Sequence, residues 1–261
     1  MAVVAFARSG RTRPRWVDGL LGAVGLFAVW ELFTATVVSG NREWPTPVSI
    51  LQQIHTDGWS FYWPNLQTTM WEALKGFFWG NVLAIALAML VLLVPLLEKP
   101  ILQLSVVSFC LPIVAIAPIF VIVFGAQEKP KVILAAMAVF FTTLIGMLVG
   151  LRSADTTSLD LVHAYGGGKI QKLVKVQIRA SLPSLFAALR IAAPAAVLGA
   201  IIGEYLGGDR GLGVAMINSE QSLDISRTWG IALAATACGG IAYAAIALTG
   251  RLLTPWAKPT T

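Results

Sequence analysis

Six apolar runs decide what this chain can be. They cover Val17–Val38, Ala73–Leu97, Ile101–Phe124, Val132–Leu151, Leu185–Leu206 and Trp229–Leu253. Each is close to the ~20 residues that a helix needs to cross a bilayer. In hydrocarbon the backbone has no water to bond, so a run of this kind must be helical. The pattern predicts an all-α polytopic membrane protein with six spans. Composition agrees. Of the 261 residues, 57% are hydrophobic and 12% charged, about half the ~25% charged residues of a soluble domain. The net charge of +6 stands at the ends of apolar runs and forms no patch for nucleic acid. The expected partner for this surface is the lipid bilayer. Cys110 and Cys238 lie inside apolar runs, far apart, and are expected to be small packing residues.

Lys/Arg asymmetry gives the orientation. Arg8, Arg11, Arg13 and Arg15 precede the first run, which predicts a cytoplasmic N-terminus and an uncleaved first span. Six spans then place the segment after the fourth in the cytoplasm, with Arg152, Lys169, Lys172, Lys175, Arg179 and Arg190 near it. The C-terminal tail, with Lys258, falls on the same side. Residues 39–69 and 207–228 hold few cations and are expected outside; Lys129 and Lys131 are an exception. The division is a basic N-terminus (1–16), one transmembrane domain (17–253, polar loop about 152–183) and a tail (254–261). In the outer segments, "WPTPVSILQQI" predicts a short helix from about Val48, and "GGDRGLG" an exposed turn.

Few polar groups fall within the runs: Glu31, Asn81, Thr142, Thr143 and Glu204. Charge at membrane depth is expensive, so these should face protein or water. An interhelical or interfacial role and a gating role are both open for Glu31 and Glu204. Pro112 and Pro118 interrupt the third run and should kink it, either to line a cavity or to adjust packing. No metal-ligating or catalytic set can be assembled: His55 and His163 are the only histidines and fall on opposite sides. His163 is expected to be a surface or packing residue. There is no GxxxxGK[ST] phosphate loop.

The most polar stretch is "DLVHAYGGGKIQKLVKVQIRASLP", Asp160–Pro183. A short helix to Tyr165 should end at Gly166, Gly167 and Gly168. Lys169–Ser181 should form a second helix, with Ile170, Leu173, Val174 and Ile178 at helical spacing and Lys169, Lys172, Lys175 and Arg179 as its basic side. Pro183 should mark the start of the fifth span. Such a helix–turn–helix suits either an anionic lipid surface or a partner's groove.

This stretch resembles the cytoplasmic "EAA" loop of permease subunits of bacterial ABC importers. Asp160 stands at the acidic position, Gly166 at the glycine, Val176 at the apolar position, and Leu182-Pro183 closes the motif. "WPTPVSIL", "LPIVAIAPIFVIVFG" and "GEYLGGDRGLGVAM" resemble, in order, segments of the nitrate/sulfonate/taurine-type permeases. Leu161 and Val162 replace the family's small pair, and Arg179 stands where an earlier proline is common.

The resemblance implies a type I importer fold with a cytoplasmic coupling helix–turn–helix between the fourth and fifth spans. It implies no enzymatic activity and no cofactor on this chain, with ATP and magnesium on a separate ATPase pair. A second permease subunit, identical or not, and an extracytoplasmic solute-binding protein complete the set, in a bacterial plasma membrane. The residues it marks for ATPase coupling are Asp160, His163, Ala164, Tyr165, Gly166, Gly167, Gly168, Lys169, Leu173 and Val176. For the pathway or gate it marks Pro112, Ile116, Pro118, Thr142 and Glu204. A small solute such as a sulfonate, nitrate, bicarbonate or a vitamin precursor would be carried. The rival is an ATPase-independent secondary transporter or channel, which would want an inverted repeat and more ionisable groups at the midplane.

Overall fold

In a computed structural model the chain is described over residues 15–36 and 44–256, all helix and connecting turns. Arg8, Arg11, Arg13 and Lys258, and the end of the first apolar run, lie outside these residues. The elements are α1 (Arg15–Thr36), α2 (Pro47–Leu93), α3 (Glu98–Cys110), α4 (Ile113–Phe124), α5 (Glu128–Arg152) and α6 (Thr156–Ala164). They continue with α7 (Lys169–Lys172), α8 (Ile178–Gly207), α9 (Leu212–Gln221) and α10 (Ile225–Leu253).

Among the described residues, four helical stretches are long and apolar enough to cross a membrane: α2, α5, Lys169–Gly207 and α10. The pair formed by Pro95–Cys110 and α4 makes a fifth if the two are one broken span. Within α1 the apolar part is shorter, Val24–Thr34.

The core is α5 packed between α2 and α8, with α10 laid against α8 and α2. Small residues make these approaches close. Three Gly-x-x-x-Gly pairs sit at the contacts, a spacing that lets helix backbones meet in membranes. A Cβ on Gly80 of α2 would come within 3 Å of the Ala136 backbone, and one on Gly150 of α5 within 3 Å of Ser181. A Cβ on Gly199 or Gly203 of α8 would press on Ala135 and Lys131. Side chains fill what remains. Val91, Leu144, Leu148, Leu151 and Leu185 form the cluster near the α6 end, and Ala135, Val139, Ala192 and Ala196 the middle. Within the middle of this packing Thr143 donates to Asn81 Oδ1, an interhelical hydrogen bond between α5 and α2.

Four expectations change. The short helix near Val48 and the second span are one run of helix, α2, capped by Thr46 and bent at Gly58 (φ 67°). The third span is not a kinked helix but two, meeting at 96°. Pro112 sits outside, as the residue before α4, while Pro118 is accommodated within it. Pro183 does not open the fifth span: helix runs from Lys169 through a π-helical turn, Leu173–Gln177, into α8 without a gap. "GGDRGLG" is exposed only at Asp209 and Arg210; Gly211, Leu212 and Gly213 are buried and start a helix that was not foreseen, α9.

Candidate functional site

Two ends of the helix core carry the features of interest. At one end, α6 and α7 form a hairpin. Asp155 caps α6, accepting from Ser158 N at 3.0 Å. Its far end closes in a Schellman turn. Gly167 N donates to Val162 O (2.8 Å) and Gly166 N to His163 O (2.9 Å), with Gly166 in the left-handed region at φ 77°. A side chain at Gly166 would be strained by conformation, and one at Gly167 would strike Val162. Gly168 meets neither constraint; it precedes Lys169 in extended conformation.

Burial divides the hairpin sharply. Leu173 is 5% exposed and belongs to the same cluster as Leu148, Leu151 and Leu185. Its helix neighbours point outward: Ile170 and Val174 are exposed, as are Leu161 and, at 86%, Tyr165. Asp160, His163, Ala164 and Lys169 are exposed too, and Val176 is half-buried. The apolar ridge predicted for this helix is therefore two faces. Leu173 and Ile178 pack inward, whereas Ile170 and Val174 have no cover. Arg179 lies over the Trp256 ring at 5.2 Å, and Arg152 reaches Glu98 of α3 at 2.6 Å.

The opposite end is closed by polar bonds. Glu204, 1% exposed near the end of α8, accepts from Gly213 N at 2.7 Å and from the Thr69 hydroxyl at 2.7 Å. Thr69 also accepts from Leu212 N at 2.9 Å, and Asn65, one turn earlier on α2, accepts from Gly211 N at 3.2 Å. Three successive N–H groups at the start of α9 are thus satisfied by side chains of α2 and α8. A helix N-terminus has no bonds of its own for these donors, and it favours a carboxylate. Gly211, at φ 120°, has no room for a Cβ, which would overlap the Glu204 carboxylate. The "GEYLGGDRGLG" stretch is a carboxylate and the helix start that it caps.

Beside this cap lies a second buried group that the sequence did not reveal. Lys131 of α5 donates to Glu72 Oε1 of α2 at 3.0 Å, with both side chains about 5% exposed (6% and 5%). Each stands at the edge of an apolar run, and edge charges read as solvated flanks. Only their pairing across α2 and α5, invisible along the chain, places them inside. Further out on the same end, Arg227 grips the Asp57 carboxylate through Nε and Nη2 (3.0 and 2.6 Å), tying α10 to the first arm of α2.

The residues expected at a pathway differ in exposure. Pro112 and Pro118 are exposed, and Ile116 and Thr142 half-buried. Glu204 is committed to the cap.

Residues 80–259 match the family described as the binding-protein-dependent transport system inner membrane component. The chain belongs to this family: it is the permease component of an ABC importer, multi-pass and without catalytic activity of its own. It is 29% identical over 233 residues to the formylaminopyrimidine transport permease protein ThiX of Halalkalibacterium halodurans, covering 89% of this chain and 93% of that one. A probable ABC transporter permease protein of Haemophilus influenzae is 28% identical over 200 residues, 77% of this chain and 81% of the other. The putative aliphatic sulfonates transport permease protein SsuC of Bacillus subtilis is 26% identical over 255 residues, 95% and 91% of the two chains.

Proposed function

We propose that this chain is one of two permease subunits driven by a separate cytoplasmic ATPase pair through the α6–α7 hairpin. The observation that carries this is the division of the hairpin: Leu173 is rooted in the core while Leu161, Tyr165, Ile170 and Val174 stand uncovered. An apolar helix face on a glycine turn fits a groove on a soluble partner. ATP and magnesium belong to that partner.

The remaining assignments follow from this orientation. The hairpin end is cytoplasmic, as are both termini, with α1 as the first of six spans in a bacterial plasma membrane. The transmembrane domain runs from about residue 17 to 253. The α9 end is external and receives solute from an extracytoplasmic binding protein. Within the hairpin, Gly166 and Gly167 set the turn, and Asp160, His163, Ala164, Tyr165, Gly168, Lys169 and Val176 border the docking face. Pro112, Ile116, Pro118 and Thr142 border the solute route, at the break between α3 and α4 and along α4 and α5. The names of the relatives span a formylaminopyrimidine and aliphatic sulfonates; a small organic solute is common to them.

Coupling of this kind requires contacts that differ between two states of the hairpin. The test is a tagged purification from native membranes. An ABC-type ATPase should accompany the protein and be lost from the Ile170→Asp/Val174→Asp variant, while the variant still inserts. A permease that purifies alone in both forms defeats the reading and favours a lipid-bound hairpin.

A further inference from the structure

A cavity of about 1110 Å³ opens between α2, the start of α5 and α10. Trp59, Trp63 and Trp71 contribute aromatic surface to it, and Glu72, Lys131 and Asp209 line it as well. The volume is ample for a small solute, and mostly apolar walls with a few polar groups are the usual make-up of a ligand site.

The charges are unbalanced. Lys75 is paired with Glu128, and Lys131 with Glu72. No ion pair among the described residues offsets Asp209. The charge-bearing groups around the cavity therefore favour a cation over an anion. One atom sharpens this. Glu72 is 4% exposed, its Oε1 is taken by Lys131, and its Oε2 has no hydrogen-bond partner. An unpartnered buried carboxylate oxygen is costly and asks for a donor. The aromatic walls suit the same guest. Trp59 and Trp63 stack with centroids 5.3 Å apart and remain half-exposed or more. Lys75 Nζ already stands 5.2 Å from the Trp71 ring, an ammonium over indole within the cavity's own wall.

We propose that this cavity binds a small, flat organic cation bearing an N–H. The N–H donates to Glu72 Oε2, and the cation lies on the Trp59–Trp63 surface. An anion meets Asp209 and the free Glu72 Oε2, and a neutral analogue forgoes the attraction to both carboxylate and indole. The inference rests on the transport reading only in making this cation the class of solute carried.

Binding is measured by equilibrium dialysis on the purified full-length permease in lipid nanodiscs. The probes are benzylammonium, its neutral counterpart benzyl alcohol, and benzenesulfonate. Benzylammonium should bind about tenfold or more tighter than benzyl alcohol, the scale of a charged hydrogen bond plus a cation–π contact, and benzenesulfonate not at all. Glu72→Gln should remove most of that preference. Because this variant leaves Lys131 buried without its counter-charge, Trp63→Ala, at a half-exposed position, supplies a second test and should weaken benzylammonium about threefold.

Equal binding of the three probes, no binding of any, or unchanged binding by Trp63→Ala overturns the proposal. Unchanged preference in a folded Glu72→Gln does so too, and assigns Oε2 to a proton shared with Glu204. Recovery of the ATPase is read separately and is not altered by either variant. A cavity that fails this test leaves the transport reading standing, and a permease without an ATPase that still prefers benzylammonium leaves the cavity assignment standing.

Discussion

The two ends of the helix core differ in how they treat their polar and apolar groups. At the α9 end three successive donors at a helix start have found acceptors on other helices: Gly211, Leu212 and Gly213 bond to Asn65, Thr69 and Glu204. At the α6 end the hairpin satisfies its own backbone through the Gly166–Gly167 turn, yet leaves large apolar side chains in the open. One end is finished by internal bonds. The other is anchored through Leu173 and leaves an apolar face uncovered. Stability should therefore be concentrated at the first end and coupling at the second, and substitutions can separate the two.

The largest effect on stability is expected from Glu204→Leu. It strands the Gly213 N–H in a buried site, at about 1–3 kcal/mol, whereas the Thr69 hydroxyl keeps the Asn65 carbonyl as an acceptor. Thermal unfolding in detergent should show a much lower midpoint, and insertion itself should suffer. A variant as stable as the parent would mean that α9 is not held by this carboxylate. Next comes Gly199→Leu, which forces α8 away from Ala135 of α5; over-packing of this kind costs about 1–3 kcal/mol. The same unfolding measurement checks it, with Gly240→Leu as a comparison because that glycine faces open space.

Gly166→Val acts on the other end. The left-handed conformation costs a branched residue about 1–2 kcal/mol, confined to the hairpin. Global unfolding should barely move, while solute-stimulated ATPase activity of the reconstituted complex should be lost. A parallel fall in both would erase the distinction between the ends. The smallest change is expected from Arg152→Gln, which removes a mostly exposed ion pair to Glu98. Such pairs contribute ~0–1 kcal/mol, so added salt should shrink what little difference exists.

The sequence pattern was legible where the physics is local. Long apolar runs can only be helices in a bilayer, so α5, α8 and α10 lie where those runs predict. The glycine triplet announced the hairpin turn because a left-handed residue and a close backbone approach both demand glycine. Groups whose meaning depends on a distant partner were not legible. Glu204 could be read as an interfacial or interhelical group or as a gate, because the donors it serves arrive from α9 and α2. Glu72 and Lys131 looked like flanks for the same reason. The Gly-x-x-x-Gly pairs were available in the sequence and would have marked the α2–α5–α8 contacts. The break at Leu111–Pro112 could not be told from a kink, because proline limits a helix without fixing the angle that follows.

The π-helical turn at Leu173–Gln177 has a geometric consequence. It sits between the hairpin and α8 in otherwise continuous helix, and a π turn is an α-helix carrying an inserted residue. Each residue of α-helix turns the chain by about 100°. The turn therefore sets the phase between two faces, the one that α8 presses into the core and the one that α7 leaves uncovered. Remove one residue here and Ile170 would swing about a quarter-turn relative to α8, with every bond on either side intact. The uncovered face of the hairpin owes its direction to a single surplus residue.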